Sequence, residues 1–401
     1  MRAFGTRAYG LRAPIIRESD NLIEIVCQSV ENFCREEGVK LRDKDVLGIT
    51  EAVVARSQGN YVTLDQIAEC IRRLFKGKDY KTNPTSNQVN VGVVFPILSR
   101  NRFSLILKAI SQASDKVIVM LSYPKDEVGN QLISSDVFLE KSYNAPYQEC
   151  LTEKEFRDRY GWDTKHPFTD LDYIEYYKSL GNNIEIIFSN DPRNILKYTK
   201  QVITADIHTR SETKKKIKSF DKDALVIGTD EIMTESIDGS GFNKEYGLLG
   251  SNIATEKGKL KLFPRDSSLF VKEVQAAIEK KLGKKIEVLV YGDGGFKDPV
   301  GGIWELADPV VSPGYTDGLK GLPAEIKLKY LIDNDLSDIP KDKIEEKAKQ
   351  IIKDGSPSQL GTTPRKISDL IGSLCDLMSG SGDKGTPIIL IQGYFDKYST
   401  E

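Results

Sequence analysis

Ile286-Glu287-Val288-Leu289-Val290 is an almost unbroken apolar run, the pattern of a strand buried on both faces. Upstream, Leu22, Ile25, Val26, Val30 and Phe33 recur at helical spacing and predict a helix over 21–37. Ser19 or Asp20 suits its N-cap and Gly38 its stop. Residues 45–54 read as another buried strand, and 65–75 as a short helix that ends in the polar, linker-like run 76–88. Beyond that run, strands are expected at 89–95, 116–121, 184–188 and 224–227, with helices at 102–113 and near 192–201. Strands alternating with helices predict a parallel sheet. Residues 259–262 alternate as a half-exposed strand, and 267–282 form an amphipathic helix leading into the central run. A charged helix is expected at 335–354. Another at 368–378 rests on Leu370, Ile371, Leu374, Leu377 and Met378, and 387–391 closes with an apolar strand. The fold class is α/β.

Composition narrows the function. The chain has 401 residues, enough for two or three domains with real cores, and its 39% hydrophobic and 29% charged content is that of a globular protein. A net charge of −2 disfavours bulk nucleic-acid or membrane-surface binding. No apolar run nears the roughly 20 residues of a membrane helix, and Met1–Arg7 lacks a secretory core. The five cysteines are scattered and form no CxxC pair, so reduced thiols and a cytoplasmic location are expected. His166 and His208, the two histidines, do not make a hydrolase triad or a histidine metal site and are read as structural. Chemistry must therefore rest on carboxylates, backbone amides and basic side chains.

The central run leads into Tyr291-Gly292-Asp293-Gly294-Gly295, a carboxylate ringed by glycines at a strand end. Glycine admits close backbone approach, and hard cations want oxygen ligands, so Asp293 is a candidate for Mg2+ or Mn2+. Asp298, Asp308 and Asp317 follow. A glycine turn with solvated aspartates is the competing reading. Phe95–Arg102 also follows a strand and opens a helix, where amides favour anions, so Arg100 and Arg102 are candidates for an acidic acceptor. Thr229-Asp230-Glu231 is a further candidate for a metal ligand, and the tyrosine-rich stretch 143–178 reads as a lid, an interface or an ordinary surface excursion. Ser379-Gly380-Ser381-Gly382-Asp383-Lys384-Gly385 has the small residues and lysine of a phosphate loop, without the GKS or GKT of a Walker A motif.

Three blocks, in order, resemble the γ-glutamyl ligase family, whose type member adds L-glutamate to the deazaflavin coenzyme F-420 precursor with GTP and divalent metal. They are Gly10–Arg17 with Asp45–Glu51 and Arg56–Gly59, then Gly250–Asn252 through Leu262-Phe263-Pro264 to Asp293, and finally Leu377–Pro387. The resemblance covers about half of the chain. It implies a nucleotide site at Ile16, Arg17, Arg56 and Ser379, Gly380, Ser381, Gly382, Asp383, Lys384 and Gly385, with arginines where the family has lysines. It implies a catalytic metal on Asp293; near the family's other metal position stands Asn252, which can ligate through oxygen but supplies no charge, so Asp298, Asp317, Asp230 or Glu231 would have to compensate. It also implies GTP or ATP as co-substrate, small-molecule partners and a homodimer. Because the compact members compared lack residues 78–235, the expected organisation is a mixed α+β ligase core, 1–77 and 236–401, with an inserted parallel α/β unit.

The chain departs from the family at three points. Gly250-Ser251-Asn252-Ile253-Ala254 offers no carboxylate where the family places one, Gly294 stands where the family has a hydroxyl, and 299–314 replaces an arginine-bearing loop. The function expected is a nucleotide- and metal-dependent amide ligase adding glutamate to a carboxylate acceptor. The alternatives are a folate-type polyglutamate ligase and a nucleotide- or metabolite-binding protein without catalysis.

Overall fold

The computed structural model describes residues 5–77, 88–99, 102–142, 149–166, 170–250, 252–255, 258–292, 312–321, 328–354, 366–379 and 385–396. They gather in two compact units, 5–57, 266–292 and 312–396 in one and 58–265 in the other. The chain opens in the first unit with β1 (Arg7–Leu11), α1 (Leu22–Glu37), β2 (Val46–Thr50) and α2 (Glu51–Ser57). It enters the second through β3 (Tyr61–Thr63), α3 (Leu64–Lys76), β4 (Asn90–Val94), α4 (Arg102–Ala113) and β5 (Lys116–Leu121). There follow α5 (Ser135–Lys141), β6 (Leu151–Thr152), α6 (Glu153–Tyr160), α7 (Tyr173–Lys178), β7 (Ile184–Phe188) and β8 (Gln201–Thr204). The second unit ends with α8 (Arg210–Phe220), β9 (Leu225–Gly228), β10 (Asn252–Thr255) and β11 (Lys259–Lys261). The first unit resumes with α9 (Ser267–Leu282), β12 (Glu287–Tyr291) and β13 (Gly314–Tyr315), then α10 (Leu328–Asp333), α11 (Lys341–Asp354), α12 (Ile367–Ser379) and β14 (Ile388–Gln392).

In the first unit the sheet order is β1-β14-β2-β12-β13, with β2 and β12 parallel and the other pairs antiparallel. Both faces are covered, which is why its central strands read as continuous apolar runs. Leu47, Ile49, Val288, Val290 and Leu390 meet Val26 and Val30 of α1 and Val271, Val274 and Ile278 of α9. The alternate residues Val46, Leu289, Tyr291, Ile389 and Ile391 meet Ile371 and Cys375 of α12. Gly48 is what lets α12 lie so close, because a Cβ there would fall 2.4 Å from Cys375 Sγ. The buried face of α12 is Ser368, Ile371, Gly372, Cys375 and Ser379, whereas the expected Leu377 is 77% exposed. Small residues, not the leucines, set that approach.

The second unit holds a six-stranded sheet, β6-β7-β5-β4-β8-β9, parallel except for β6, and a small antiparallel sheet, β10-β11-β3. The parallel sheet expected from alternating strands and helices is present. From β4 the chain moves outward through β5 and β7, then returns to the other side of β4 for β8 and β9. On one face Ile106, Leu107 and Ile110 of α4 cover Val91, Val93, Val117 and Val119. On the other, Ile217 of α8 joins Val94, Ile118, Val202 and Val226. The division between units falls differently from the boundaries expected at 77 and 235. Val62, Ile67, Ile71, Leu260 and Leu262 share one core with Val91 and Leu107, so β3, α3 and β11 belong with the six-stranded sheet.

Several elements differ from expectation. Residues 51–54, expected to continue a strand, begin α2. Neither Ser19 nor Asp20 caps α1: the Asn21 side chain accepts from Glu24 N at 3.2 Å, and Asp20 accepts from Arg17 N instead. The helix expected near 192–201 is a short 3-10 turn, Pro192–Lys197, followed by strand β8. The linker-like run 76–88 lies mostly outside the described residues.

Candidate functional site

Three segments meet at one edge of the first unit's sheet. β2 and β12 run parallel and end side by side, Thr50 opposite Tyr291. β14 starts at the same edge, with Ile388 opposite Ile49 and the Pro387 carbonyl accepting from Thr50 N–H at 3.0 Å. The carboxyl ends of parallel strands are where open α/β sheets place their ligands. Because side chains alternate along a strand, Thr50 and Tyr291 share the α12 face, and α12 ends there at Ser379.

The polar atoms at this edge are sealed but poorly satisfied. The Tyr291 hydroxyl is buried beside the hydroxyls of Ser379 and Thr50 without a well-formed hydrogen bond to either. Its phenol is pushed well up by burial. Ser379 itself donates to the Asp376 carbonyl at 3.2 Å. Thr386 Oγ1 is likewise buried without a hydrogen-bond partner among the described residues. Gly10 abuts Thr386, where a Cβ would come within 3.1 Å of Thr386 Cβ, so the first and third family-like blocks touch. Glu51, only 1% exposed, starts α2 directly after Thr50. Buried native polar groups are nearly always paired, so these hydroxyls, without well-formed partners among the described residues, single out the strand edge as a candidate site.

The expected site residues divide. Ile16 is buried and Arg17 exposed, and the turn after Arg17 is tied to the end of α2 by Ser19 N–H to the Ser57 carbonyl at 2.9 Å. Arg17 and the exposed Arg56 therefore sit on bonded segments. Ser379 and Gly385, the latter at φ 71°, flank the small-residue loop, while Gly380–Lys384 lie outside the described residues, as do Asp293, Asp298 and Arg100. Asn252 opens β10 opposite Lys261 and Arg102 opens α4, their side chains outside the description.

Asp317 is not brought to this edge. β13 runs antiparallel to β12, so the Thr316 N–H bonds the Val288 carbonyl and Gly318 N–H bonds Glu287, at the far end of β12 from Tyr291. There Asp317 pairs with Lys320 at 2.6 Å. A metal set containing both the strand end and Asp317 is thereby corrected. Asp230 holds Arg210 at 2.8 Å and Glu231 holds Lys214, so both are engaged in ion pairs. His166, 2% exposed with its ring edge-on to Tyr173 at 5.6 Å, is a core residue as expected. Among the described residues no group of three or more histidine, cysteine or carboxylate side chains is placed to hold a metal ion.

The second family-like block is organised around side-chain amides. Asn60 Nδ2 donates to the Phe263 carbonyl at 2.6 Å, Asn243 Nδ2 to the Pro264 carbonyl at 2.9 Å, and Gln58 bonds Arg265 N and O at 2.7 and 2.8 Å. The segment after Arg56-Ser57 is thus stapled to Leu262-Phe263-Pro264.

Compared with known families, residues 10–393 match the F420-0:gamma-glutamyl ligase family. The chain belongs to that family. The match spans elements of both units, and the coarse activity follows from it: a γ-glutamyl ligase of the F420 pathway. No curated protein matches the chain. The first and third family-like blocks and the buried hydroxyls lie at the same strand edge of this ligase. Thr50, Glu51 and Thr386 were missed as site residues, and the Tyr291 hydroxyl with them. The signal available was the period-2 register that sets Thr50 beside Tyr291. Among the described residues no helix is long and apolar enough to cross a membrane.

Proposed function

We propose that the chain joins L-glutamate to a carboxylate acceptor in a reaction driven by GTP or ATP, with the F420 precursor as the acceptor its family favours. In this reading the nucleotide's terminal phosphoryl group passes to an acceptor carboxylate oxygen. The glutamate amine then attacks the acyl carbon, the amide C–N bond forms, and phosphate leaves. The observation that supports the nucleotide site is the pair of buried hydroxyls, Tyr291 and Thr386, that lack a well-formed hydrogen bond among the described residues, at the strand edge flanked by Ser379 and Gly385. Arg17 and Arg56 lie on bonded segments of the same unit and supply cations suited to phosphate. A divalent ion, Mg2+ or Mn2+, on Asp293 with Asn252 and Asp298 would neutralise charge on the transferring phosphoryl group.

Phosphate release decides the matter. The expected result is release only when nucleotide, glutamate and a carboxylate acceptor are all present. Nucleotide binding with no turnover under any acceptor would leave the non-catalytic alternative, and turnover with a folate in place of the F420 precursor would select the folate-type ligase. We also propose a homodimer, the commonest symmetric assembly. Sedimentation at micromolar concentration is expected to give twice the 44.9 kDa chain mass, and a stable monomer refutes it.

A further inference from the structure

The second unit carries an arrangement outside the nucleotide and metal sets. β4 and β8 are neighbours at the point where the strand order reverses, and α4 and α8, which follow them, cover opposite faces of the sheet. Such a switch point leaves a crevice at the strands' carboxyl ends, where doubly wound sheets take ligands. Here a side chain bridges two of those strand ends. Glu127 follows β5, and its carboxylate accepts from three successive backbone N–H groups after β8. It bonds Ile207 N, His208 N at 3.1 Å and Thr209 N at 3.3 Å, and accepts from Thr209 Oγ1 at 3.1 Å. Since β4 lies between β5 and β8, Glu127 spans the end of β4.

Three successive amides and a hydroxyl aimed at one point form an anion nest. Arg210 holds it in shape, donating to the Asp206 and Ile207 carbonyls at 2.8 and 2.9 Å while its Nε bonds Asp230 at 2.8 Å. Asp206 supplies the independent observation. It is 0% exposed, its Oδ2 accepts from Thr209 and Thr213 hydroxyls at 2.7 Å each, and its Oδ1 is buried with no hydrogen-bond partner among the described residues. Glu127 and Asp206 therefore converge on one Thr209 hydroxyl, which has a single proton to donate. The contact is frustrated, and removing Glu127 relieves it. Burial pushes the Asp206 carboxyl up, which eases its repulsion of an anion in the nest.

We propose that this crevice binds a small molecule bearing a phosphate or carboxylate group next to a hydroxyl or amine donor, and that Glu127 is an internal stand-in that the ligand displaces. The oxyanion takes the amides of 207–209 and the Thr209 hydroxyl, and the neighbouring donor meets Asp206 Oδ1. None of Glu127, Asp206 and residues 207–209 belongs to the nucleotide set or the metal set on Asp293, so anion binding here is tested without turnover.

The test is calorimetric titration of the full chain with inorganic phosphate and, separately, acetate, without nucleotide or glutamate. Glu127→Ala removes the competitor, so one of these anions is expected to bind about tenfold tighter than to the native chain, because the cost of displacing the strap is gone. A gain for phosphate identifies a phosphoryl ligand, and a gain for acetate a carboxylate. Adding Thr209→Val to Glu127→Ala should reverse most of the gain, and anion bound elsewhere on the chain cancels in these differences. The bound anion should also restore whatever Tm Glu127→Ala loses. No gain for either anion, or a gain that Thr209→Val leaves untouched, overturns the proposal and makes Glu127 a structural cap.

Discussion

The carboxyl edges of the two sheets use their polar residues in opposite ways. In the first unit the buried hydroxyls of Tyr291 and Thr386 have no well-formed hydrogen bond among the described residues. In the second, the acidic groups are tied internally. Asp126 accepts from Leu98 N, Val128 N, Asn130 N and Asn130 Nδ2 at 2.8–3.1 Å, and Asp191 is forked by Arg193. Asp230 and Glu231 likewise have arginine and lysine partners, and Asp206 commits its Oδ2 to two threonine hydroxyls while its Oδ1 is the exception. An edge prepared for a reactant leaves donors and acceptors uncommitted. An edge that holds its own loops together commits them, and any ligand must then displace a partner that is already there.

The strongest way to break this contrast is at the reactive edge. Asp293→Asn keeps shape and removes one charge. If Asp293 carries the divalent ion, turnover should fall on the order of 100-fold or more with little change in melting temperature. Metal titration beside a turnover assay checks it, and unchanged affinity and rate would reduce the glycine-ringed carboxylate to a turn. At the other edge the largest effect expected is on stability. Asp126 is pushed up to about 6 by burial, which outweighs the four hydrogen bonds that favour its charge. Between about pH 4 and pH 6 the folded chain therefore keeps a proton that the unfolded chain has lost. Stability from this group is fully present below pH 4 and is lost as pH rises through 6, by on the order of 2 kcal/mol. Denaturant unfolding across that range should show the slope, and Asp126→Asn should flatten it.

Next in size is the acceptor. Arg100→Ala with Arg102→Ala should weaken acceptor binding about tenfold, as loss of charge-assisted contacts does, and leave nucleotide affinity nearly level. A large loss of nucleotide binding would move those arginines into the other site. The smallest effect sharpens the contrast most directly. Tyr291→Phe deletes a hydroxyl that has no well-formed bond, so stability should hold or rise by less than about 1 kcal/mol. Thr213→Val deletes one that donates to buried Asp206 and should cost about 1–2 kcal/mol. Equal losses in the two variants would erase the distinction between the edges.

Much of this was legible where one signal dominated. The runs at 116–121 and 184–188 could only be buried strands, and 102–113 and 267–282 had clear helical spacing. Legibility failed where patterns ran together. Glu51-Ala52-Val53-Val54-Ala55 continues the apolar run of β2, so nothing in periodicity marks the change to helix at Glu51. α8 reads Arg-Ser-Glu-Thr-Lys-Lys-Lys-Ile-Lys-Ser-Phe and buries only Thr213 and Ile217, too little for an apolar stripe. The candidate site was legible as a set of motifs, and Arg17 beside the end of α2 follows it. Asp317 was misplaced because sequence proximity to Asp293 says nothing of the antiparallel return through β13 that carries it back along β12. The convergence of Glu127 on residues 207–209 is set by strand order, which no local pattern encodes.

The register of β2 has a consequence for how the chain is made. Its two neighbours in the sheet are β12 and β14, so Val46–Thr50 leaves the ribosome long before either partner has been synthesised. The strands of the second unit, by contrast, all lie within 58–265 and pair among themselves. During translation each of them has its strand partners while β2 remains an unpaired apolar ribbon, the kind of segment that invites aggregation or a chaperone. Nascent chains stalled just after residue 292 should already protect the six-stranded sheet from protease while Val46–Thr50 stays open to cleavage. Protection of both at that length would mean that β2 finds β12 without waiting for the closing strand.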